Sequence, residues 1–402
     1  MTDPLHVGII GYGSSNWIAG RLYIQSLLVG QSLLDAERKD KTSLFLHEKD
    51  HHPAAYQDVS ALVKGMYPFD YYFGTSFPIL KKSLAAVERW RRNKRPFFPE
   101  NNLPILLKSN QVDVIFPANG LLSKTHSSAR LVCWIPDFQH LHLPQFFSSS
   151  ERFMRSWLFK KMARKADKII VSNPFSYNDA CRLAPKAKNK FELLPFCMYL
   201  GDNWRKEDPE VYREQYNLPE NYLMFPSQFW KHKNHLMLFE AIHKLKKQGK
   251  PVVLVCTGAF HDFRFPDYAD SLKNFIHEQG LEEEIRILGL LPRKDQVQLM
   301  RGARAIVQPS LFEGWSALLE DCRGLGKTVF VSRTPMHLEQ EPDHAFFFDP
   351  HSSSELAELI DQHWDSLPMR ADPAREQMGE RKNIDGLKNF ARRFLEICQS
   401  SL

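Results

Sequence analysis

One stretch decides the fold: Gln308-Pro309-Ser310-Leu311-Phe312-Glu313-Gly314-Trp315-Ser316-Ala317-Leu318-Leu319-Glu320-Asp321-Cys322-Arg323-Gly324-Leu325-Gly326-Lys327. The apolar run 305–307 that leads into it predicts a strand, and the proline and the acid-glycine turn predict a loop. Ser316 is suited to cap a helix, Gly326 is suited to end that helix, and 328–331 predicts another strand. The stretch therefore indicates a strand–loop–helix–strand unit of an α/β sheet.

This loop is also a candidate ligand site. In open α/β sheets, ligands bind at loops that follow the carboxyl ends of strands. The free N–H groups of a helix start suit a phosphate, whereas the carboxylate of Glu313 suits sugar hydroxyls. Two interpretations follow: a site for a ligand with both phosphate and polyol parts, or an ordinary turn between a strand and a helix.

Length and composition indicate a two-domain globular protein. The chain has 402 residues, of which 43% are hydrophobic and 25% are charged, which is typical of soluble proteins. No run approaches the roughly 20 apolar residues needed to cross a bilayer, and the N-terminus has no signal-peptide pattern. The six cysteines form no CxxC pair, so neither a zinc site nor a disulfide framework is indicated. We therefore expect a cytoplasmic protein.

The positive charge is unevenly distributed. The net charge of +6 is small for this length and does not indicate nucleic acid binding. Basic residues interleaved with aromatic ones are concentrated in 81–95 and 155–168. These stretches predict either solvated helix faces or peripheral contact with an anionic membrane, which would place the protein at its inner face.

Strands and helices alternate twice along the chain. Gly11 and Gly13 fit the start of a dinucleotide-binding fingerprint, but Asn16 replaces its last glycine, so a nicotinamide site is not expected. The polar segment 201–209 predicts a linker. We expect two doubly wound Rossmann-like domains facing across a cleft. The two domains would comprise residues 1–204 and 205–380, followed by a C-terminal helix in 381–402.

A further polar loop follows a predicted strand in the first half. Asp137, His140 and His142 lie at the carboxyl end of the strand 130–135. They predict either a functional site or structural histidines with satisfied hydrogen bonds. A metal site is not expected, because no third ligand is close in sequence.

Several ordered motifs carry a resemblance to a known family. They are Phe229-Trp230-Lys231-His232-Lys233-Asn234-His235, Pro309 to Ser316 with the acids that follow, Phe348-Asp349-Pro350, Asn16-Trp17-Ile18-Ala19-Gly20 and Ile135-Pro136-Asp137-Phe138-Gln139-His140. Together they resemble the retaining glycosyltransferases of family 4, within the glycosyl transferases group 1, which have the GT-B fold. The resemblance covers nearly the whole chain and is strongest in the second half.

The resemblance implies a reaction and a set of partners. A sugar would move from a nucleotide diphospho-sugar, linked to UDP, GDP or dTDP, to a hydroxyl with retained anomeric configuration. The enzyme would be hexosyltransferase-like and would work without a metal or a permanently bound cofactor. The acceptor would be a glycan or a lipid-linked glycan in polysaccharide or cell-envelope assembly.

The resemblance also implies roles for the domains and for single residues. Residues 1–204 would bind the acceptor and 205–380 the donor, and the helix in 381–402 would pack back toward the first domain. The catalytic residues it implies are Glu313, Lys233, His140 and Asp137. The residues it implies for donor binding are Gly20, Gln228, Lys231, Lys233, Gly258, Leu290, Glu313, Gly314, Trp315, Ser316, Leu318, Glu320 and Asp321.

Three positions depart from the family pattern. Gln228 stands where the family has an arginine against the donor diphosphate, and Lys231 or Arg21 would have to compensate. The glycine pair of the first loop is reduced to Ala19-Gly20. Pro136 stands where many members have a histidine, which leaves His140 or Asp137 as the candidates near the anomeric carbon.

The second acid of the donor site is open between two neighbours. Asp321 stands eight positions after Glu313, where the family has a glutamate for the nucleotide ribose, and Glu320 is the reserve. Helical spacing aligns Glu320 with Arg323 and Lys327, which predicts a solvated, ion-paired face. Asp321 shares a stripe with small residues and is the preferred candidate.

Two other functions remain compatible with the sequence. One is a nucleotide-sugar epimerase of the same fold. The other is a non-catalytic sugar-nucleotide-binding protein, which the departures at Gln228, Ala19 and Asp321 would explain. Donor turnover distinguishes a transferase from a binding protein.

Overall fold

The computed structural model describes residues 4–12, 18–34, 40–47, 53–69, 102–119 and 128–402. The basic stretch 81–95 and the first two residues of the motif Asn16 to Gly20 lie outside the described residues.

The first half of the chain forms one parallel sheet flanked by helices. The strand order in the described residues is β3-β2-β1-β4-β5-β6-β7, and every pairing is parallel. The strands are β1 His6–Ile10, β2 Lys41–His47, β3 Met66–Phe69, β4 Val114–Phe116, β5 Arg130–Trp134, β6 Lys168–Val171 and β7 Phe191–Leu193. The helices are α1 Ile18–Ser32, α2 Leu103–Ser109, α3 Gln139–His142, α4 Ser149–Lys165 and α5 Pro174–Leu183.

The second half forms another parallel sheet, in the order β10-β9-β8-β11-β12-β13. The strands are β8 Tyr222–Pro226, β9 Val253–Thr257, β10 Ile285–Gly289, β11 Ala305–Gln308, β12 Val329–Ser332 and β13 Ala345–Phe348. The helices are α6 Pro209–Gln215, α7 His235–Lys247, α8 Tyr268–Glu278, α9 Arg293–Gly302, α10 Ala317–Leu325, α11 Pro335–Gln340, α12 Ser353–His363 and α13 Pro373–Gln399. The α/β class with two doubly wound sheets is confirmed.

Continuous apolar runs in the sequence become buried central strands. All five residues of β8 are buried, as are all four of β11 and of β12. Helices on both faces of a parallel sheet exclude water from both faces, which is why these strands lack an alternating polar pattern. The sheets place the carboxyl ends of β8, β9 and β11 at one edge of the second domain.

The C-terminal helix α13 joins the two domains. Asp372 caps it by accepting hydrogen bonds from the N–H groups of Ala374 and Arg375. The helix therefore begins at Pro373, eight residues before the stretch 381–402 in which the sequence indicated it. At its other end, Phe390 and Phe394 belong to the core of the first domain.

The predicted linker contains an anchor. Trp204 is buried in the core of the second domain, and its carbonyl oxygen accepts hydrogen bonds from Gln298 Nε2 (2.9 Å) and Arg301 Nη1 (3.0 Å). The segment 201–209 is thus tied to the second domain, although most of its residues are polar.

No helix in the described ranges is both long enough and apolar enough to cross a membrane.

Candidate functional site

The loop between β11 and α10 has the local structure that the sequence predicted. The hydroxyl of Ser316 accepts a hydrogen bond from the N–H of Leu319 and caps α10. Gly326 ends the helix in the left-handed region at φ 61°, where a residue without a side chain is least strained. The two signals fix the ends of the helix and leave 309–315 as the loop at the strand's carboxyl end, which we call the donor loop.

Glu313 of this loop forms an ion pair with Lys233. Lys233 Nζ lies 2.6 Å from Glu313 Oε1, and the two side chains are 16% and 11% exposed. Gln308 Nε2 donates a second hydrogen bond to the same oxygen over 2.9 Å. The low exposure strengthens the interaction relative to a surface pair and fixes both groups in one place.

The segment around Lys233 is held against the donor loop by its neighbours. Asn234 adopts the left-handed region at φ 65°, and its side-chain amide donates to the carbonyl oxygens of Pro309 (3.2 Å) and Pro350 (2.8 Å). The N–H of Leu311 donates to the carbonyl oxygen of His232 over 2.8 Å. The three motifs of the second half therefore meet at one place.

Two buried histidines lie beneath the ion pair. Burial lowers the pKa of His232, and the charge of Lys233 acts in the same direction. Burial also lowers the pKa of His337, although Glu313 opposes this shift. His337 Nδ1 lies 2.9 Å from the carbonyl oxygen of Ser332, and its Nε2 has no partner among the described residues. Both imidazoles are therefore neutral at pH 7, and Lys233 is the cation next to Glu313.

Asp137 and its neighbour Pro136 face the donor loop from the first domain. A methyl group on Gly314 would collide with the carbonyl oxygen of Pro136 and would lie 3.1 Å from Cβ of Asp137. Asn173 donates a hydrogen bond from its side chain to the carbonyl oxygen of Gly314. Gly314 thus permits the two domains to meet, and the structure brings Asp137, Glu313 and Lys233 to the same interdomain region.

His140 is not part of that group. Its side chain is 1% exposed, its ring packs edge-on to Phe147 and Phe159, and its Nε2 lies 3.1 Å from Ser156 Oγ. Burial, aided by the charge of Arg155, lowers the pKa of His140 to about 4. The imidazole is neutral and packed within the first domain.

Of the two histidines in the first-domain loop, His142 is the one that contacts the donor loop. Its ring stacks on Phe312 with centroids 5.4 Å apart, and its Nε2 lies 2.6 Å from Asp179 Oδ2. The sequence placed His142 at the right strand end, but spacing alone did not separate it from His140. No group of three or more metal-ligating side chains occurs in the part of the chain that the structure describes.

The two candidate acids on α10 point to different surroundings. Asp321 forms a two-bond ion pair with Arg293, with distances of 2.8 Å to Nη1 and 2.5 Å to Nη2. Arg293 begins α9, three residues after Leu290 in the loop that follows β10. Asp321 therefore lies toward the carboxyl edge of the sheet.

The prediction of a solvated face at Glu320 is wrong. Glu320 is 4% exposed and accepts hydrogen bonds from Arg323 Nη1 (2.9 Å) and Gln340 Nε2 (2.8 Å), and burial raises its pKa. Lys327 is 5% exposed, and burial lowers its pKa to about 8. The ion pair with Arg323 exists, but α11 and α13 cover this face of α10.

The other cations proposed for the diphosphate have their own neighbours. Lys231 is exposed, and its Nζ lies 4.6 Å from the ring centre of Phe265. Arg21 lies on α1 near Tyr56, where its charge opposes the burial that raises the pKa of Tyr56 to about 12. Gln228 stands next to the backbone of Gly258, whose φ of 129° and contact with Ser227 leave no space for a side chain.

The remaining predicted donor residues have mixed surroundings. Gly20 is buried in α1, and Leu318 is buried in the second core. Leu290 is 54% exposed after β10. Trp315 extends away from the ion pair, because its Nε1 donates to the carbonyl oxygen of Phe196 over 2.9 Å.

The sequence of the second domain matches a known family. Residues 208–382 match the family model for glycosyl transferases group 1. The group 1 segment contains Lys233, Glu313 and Asp321, whereas Asp137 and His140 lie outside it. This match confirms the predicted resemblance to group 1 glycosyltransferases. No curated protein sequence matches the chain.

Three solved structures illustrate the similarity of this chain to proteins of known fold. HepE from Anabaena, in complex with UDP and glucose, is 15% identical, with a TM-score of 0.69 and coverage of 98% of this chain and 100% of that one. Sucrose-phosphate synthase from Thermosynechococcus elongatus is 15% identical, with a TM-score of 0.67 and coverage of 98% of both chains. WaaG, a glycosyltransferase involved in lipopolysaccharide biosynthesis, is 14% identical, with a TM-score of 0.61 and coverage of 96% and 95%. The GT-B fold is thereby confirmed.

Proposed function

We propose that this protein is a retaining glycosyltransferase. It would transfer a sugar from a nucleotide diphospho-sugar to a hydroxyl of a glycan or a lipid-linked glycan, without a metal ion. The observation that carries the proposal is the Lys233–Glu313 ion pair at 2.6 Å, which lies at the donor loop of the group 1 segment. The complexes of HepE with UDP and with UDP-glucose support a nucleotide sugar as the donor.

The two members of the ion pair have separate roles in this proposal. Lys233 would neutralise the charge that develops on the leaving diphosphate, and Glu313 would accept hydrogen bonds from hydroxyls of the donor sugar. When no donor is bound, Lys233 and Glu313 neutralise each other's charge. The donor therefore replaces one ion pair by two new interactions, and the site holds both groups ready at little reorganisation cost.

Asp137 is proposed to act from the opposite wall. It lies beside Gly314, its Oδ1 accepts a hydrogen bond from the N–H of Gln139 (2.9 Å), and Arg155 Nη2 lies 3.4 Å from the same oxygen. This position suits a group close to the anomeric carbon. His140 would support the loop by packing, because its ring is buried beneath it.

Asp321 is proposed to bind the nucleotide ribose. Its pairing with Arg293 orients the carboxylate toward the loop after β10, whereas Glu320 is enclosed by Arg323 and Gln340. A ribose diol would compete with Arg293 for the carboxylate oxygens. Glu320 would then serve the packing of α10.

Nucleotide binding tests these assignments directly. Thermal shifts with UDP, GDP and dTDP are expected to identify one preferred base. Lys233→Met and Asp321→Asn are each expected to weaken binding about tenfold or more, because each removes a charged partner of the ligand. Glu320→Gln and the surface control Lys244→Met are expected to change nucleotide affinity less than threefold, which corresponds to less than about 1 kcal/mol of binding free energy. Equal weakening in Glu320→Gln and Asp321→Asn would reject the choice of Asp321.

Turnover separates the transferase from its rivals. Incubation with a panel of nucleotide sugars should release the matching nucleoside diphosphate. Tight nucleotide binding without any release or transfer would favour a non-catalytic binding protein. Conversion of the donor into a stereoisomer would favour an epimerase of the same fold.

We further propose that the exposed face of α4 contacts an anionic membrane. Phe153 and Trp157 are 69% and 42% exposed one helical turn apart, and Lys160 and Arg164 extend the same face. Lys161 Nζ lies 5.1 Å from the ring centre of Trp157. Lys168 lies on β6 and pairs with Glu192 over 2.6 Å, so the basic face belongs to the helix rather than to the whole stretch 155–168.

Vesicle sedimentation tests this contact. Each basic residue near an anionic surface contributes about 1 kcal/mol, so Lys160→Ala/Arg164→Ala should weaken binding to phosphatidylserine vesicles at low salt more than tenfold. Trp157→Ala should weaken it as well, whereas Lys273→Ala on α8 should not. Binding that is absent, or that is equal for all variants, would contradict the proposal.

A further inference from the structure

A cavity of about 320 Å³ lies where three elements cross between the domains. Its walls come from the segment 194–197 after β7, from α10, from α13 and from Trp315 at the end of the donor loop. Neither Lys233 nor Glu313 lines it, so it is separate from the ion pair. The cavity is at the small end of the range of about 300–1,000 Å³ for small-molecule sites.

Aromatic rings form one side of the cavity. The ring centres of Trp315 and Phe390 each lie 6.5 Å from that of Phe196. The hydrogen bond from Trp315 Nε1 to the carbonyl oxygen of Phe196 holds the indole in place. A fixed aromatic wall is suited to the apolar face of a sugar ring or to another flat group.

Cations dominate the charged part of the lining. Arg323, Lys382 and Arg393 line the cavity, and Glu320 is the one carboxyl group among the lining residues. Burial raises the pKa of Glu320, and Arg323 is already bound to it over 2.9 Å. Lys382 and Arg393 are the cations left for a ligand.

These two cations are held by partly exposed ion pairs. Lys382 Nζ lies 2.8 Å from Asp343. Arg393 Nη1 lies 3.1 Å from Glu396, and its Nη2 lies 3.7 Å from Glu192, whose side chain is 20% exposed. The lysine and arginine side chains are 47% and 54% exposed. Exposed pairs of this kind contribute only about 0–1 kcal/mol, so a phosphate group would displace them readily.

From this lining we propose that the cavity binds a phosphorylated monosaccharide. The sugar ring would stack on Trp315, and the phosphate would bind Lys382 and Arg393, whose charged hydrogen bonds favour phosphate over a neutral group. The volume suits one sugar with one phosphate rather than a whole nucleotide sugar. This site does not depend on the proposed transferase function.

Binding here would be coupled to the donor loop. Trp315 lies two residues after Glu313, Phe196 belongs to the connection out of the first domain, and Phe390 lies on the helix that joins both domains. A ligand that contacts all three bridges the domains. It would therefore stabilise the arrangement in which the donor loop meets the first domain.

Calorimetric titration with glucose 6-phosphate tests the proposal, with glucose and inorganic phosphate as comparison probes. Lys382→Ala/Arg393→Ala is expected to weaken glucose 6-phosphate binding tenfold or more. The matched control Arg381→Ala/Lys388→Ala, which removes two cations of α13 outside the lining, should leave it unchanged. Lys233→Met should also leave glucose 6-phosphate binding unchanged, although the same variant should bind nucleotide about tenfold or more weakly.

Three results would overturn the proposal. The first is no binding of glucose 6-phosphate by the wild-type protein at millimolar concentration. The second is equal affinity in wild type and Lys382→Ala/Arg393→Ala. The third is loss of binding in Lys233→Met, which would place the sugar phosphate at the donor loop. Failure of donor turnover would leave the cavity assignment intact, because that assay concerns Glu313 and Lys233.

Discussion

Replacing Glu313 with alanine is expected to lower kcat for sugar transfer by at least about 100-fold. The carboxylate is 11% exposed, is paired with Lys233 and is held by Gln308, so no neighbouring acid takes over its position. The fold should survive, because Lys233 remains 16% exposed and water can reach its ammonium group. Initial rates at saturating donor, together with the melting temperature, measure both effects.

The choice of variants separates charge from shape. Glu313→Gln keeps the size of the side chain and should lose nearly as much activity as Glu313→Ala, because the negative charge is what holds Lys233 and accepts two donors. Glu283→Ala, at a carboxylate that is 81% exposed, is the control and should keep full activity. Wild-type rates in Glu313→Ala would reject the site assignment.

Replacing Arg301 with methionine is expected to lower the free energy of unfolding by about 3–5 kcal/mol. The guanidinium binds Glu376 at 2.7 and 3.0 Å, and both side chains are at most 5% exposed. It also donates to the carbonyl oxygens of Trp204 (3.0 Å) and Glu207 (2.7 Å). Removing it leaves a buried carboxylate and two carbonyl oxygens without this partner, and it weakens the attachment of α13 and the linker to the second domain.

Urea unfolding followed by tryptophan fluorescence measures this loss. Arg370→Ala provides the comparison, because its pair with Glu220 is 68% and 52% exposed and should contribute less than about 1 kcal/mol. A midpoint for Arg301→Met as close to wild type as that of Arg370→Ala would show that the buried pair does not anchor the linker.

Local signals explain why the donor loop was predictable. Ser316 and Gly326 act through their own backbone neighbours, so the cap and the left-handed end of α10 follow from residue type alone. The family resemblance implies Lys233 and Glu313 as separate catalytic residues, whereas their ion pair joins residues 80 positions apart. No local pattern in the sequence indicates that these two residues are in contact.

Long-range packing explains where the sequence failed. Helical spacing aligned Glu320 with Arg323, but spacing cannot say whether another element covers that face. The closeness of α13, whose Gly379 touches the carbonyl group of Gly324, buries it. Likewise, His140 and His142 are two positions apart, yet one is enclosed by the rings of its own domain and the other reaches Phe312 across the cleft.

The sequence by itself determined the α/β class, the two parallel sheets, the ends of the donor-loop helix and the resemblance of the second domain to group 1 glycosyltransferases. These follow from short-range signals: apolar runs, caps, and motifs whose residues act within one turn of chain. The tertiary structure alone decided that Lys233 pairs with Glu313, that Asp321 faces Arg293, and that His142 contacts the donor loop. Those contacts depend on how sheets, helices and domains pack, and packing joins residues that the linear sequence keeps far apart.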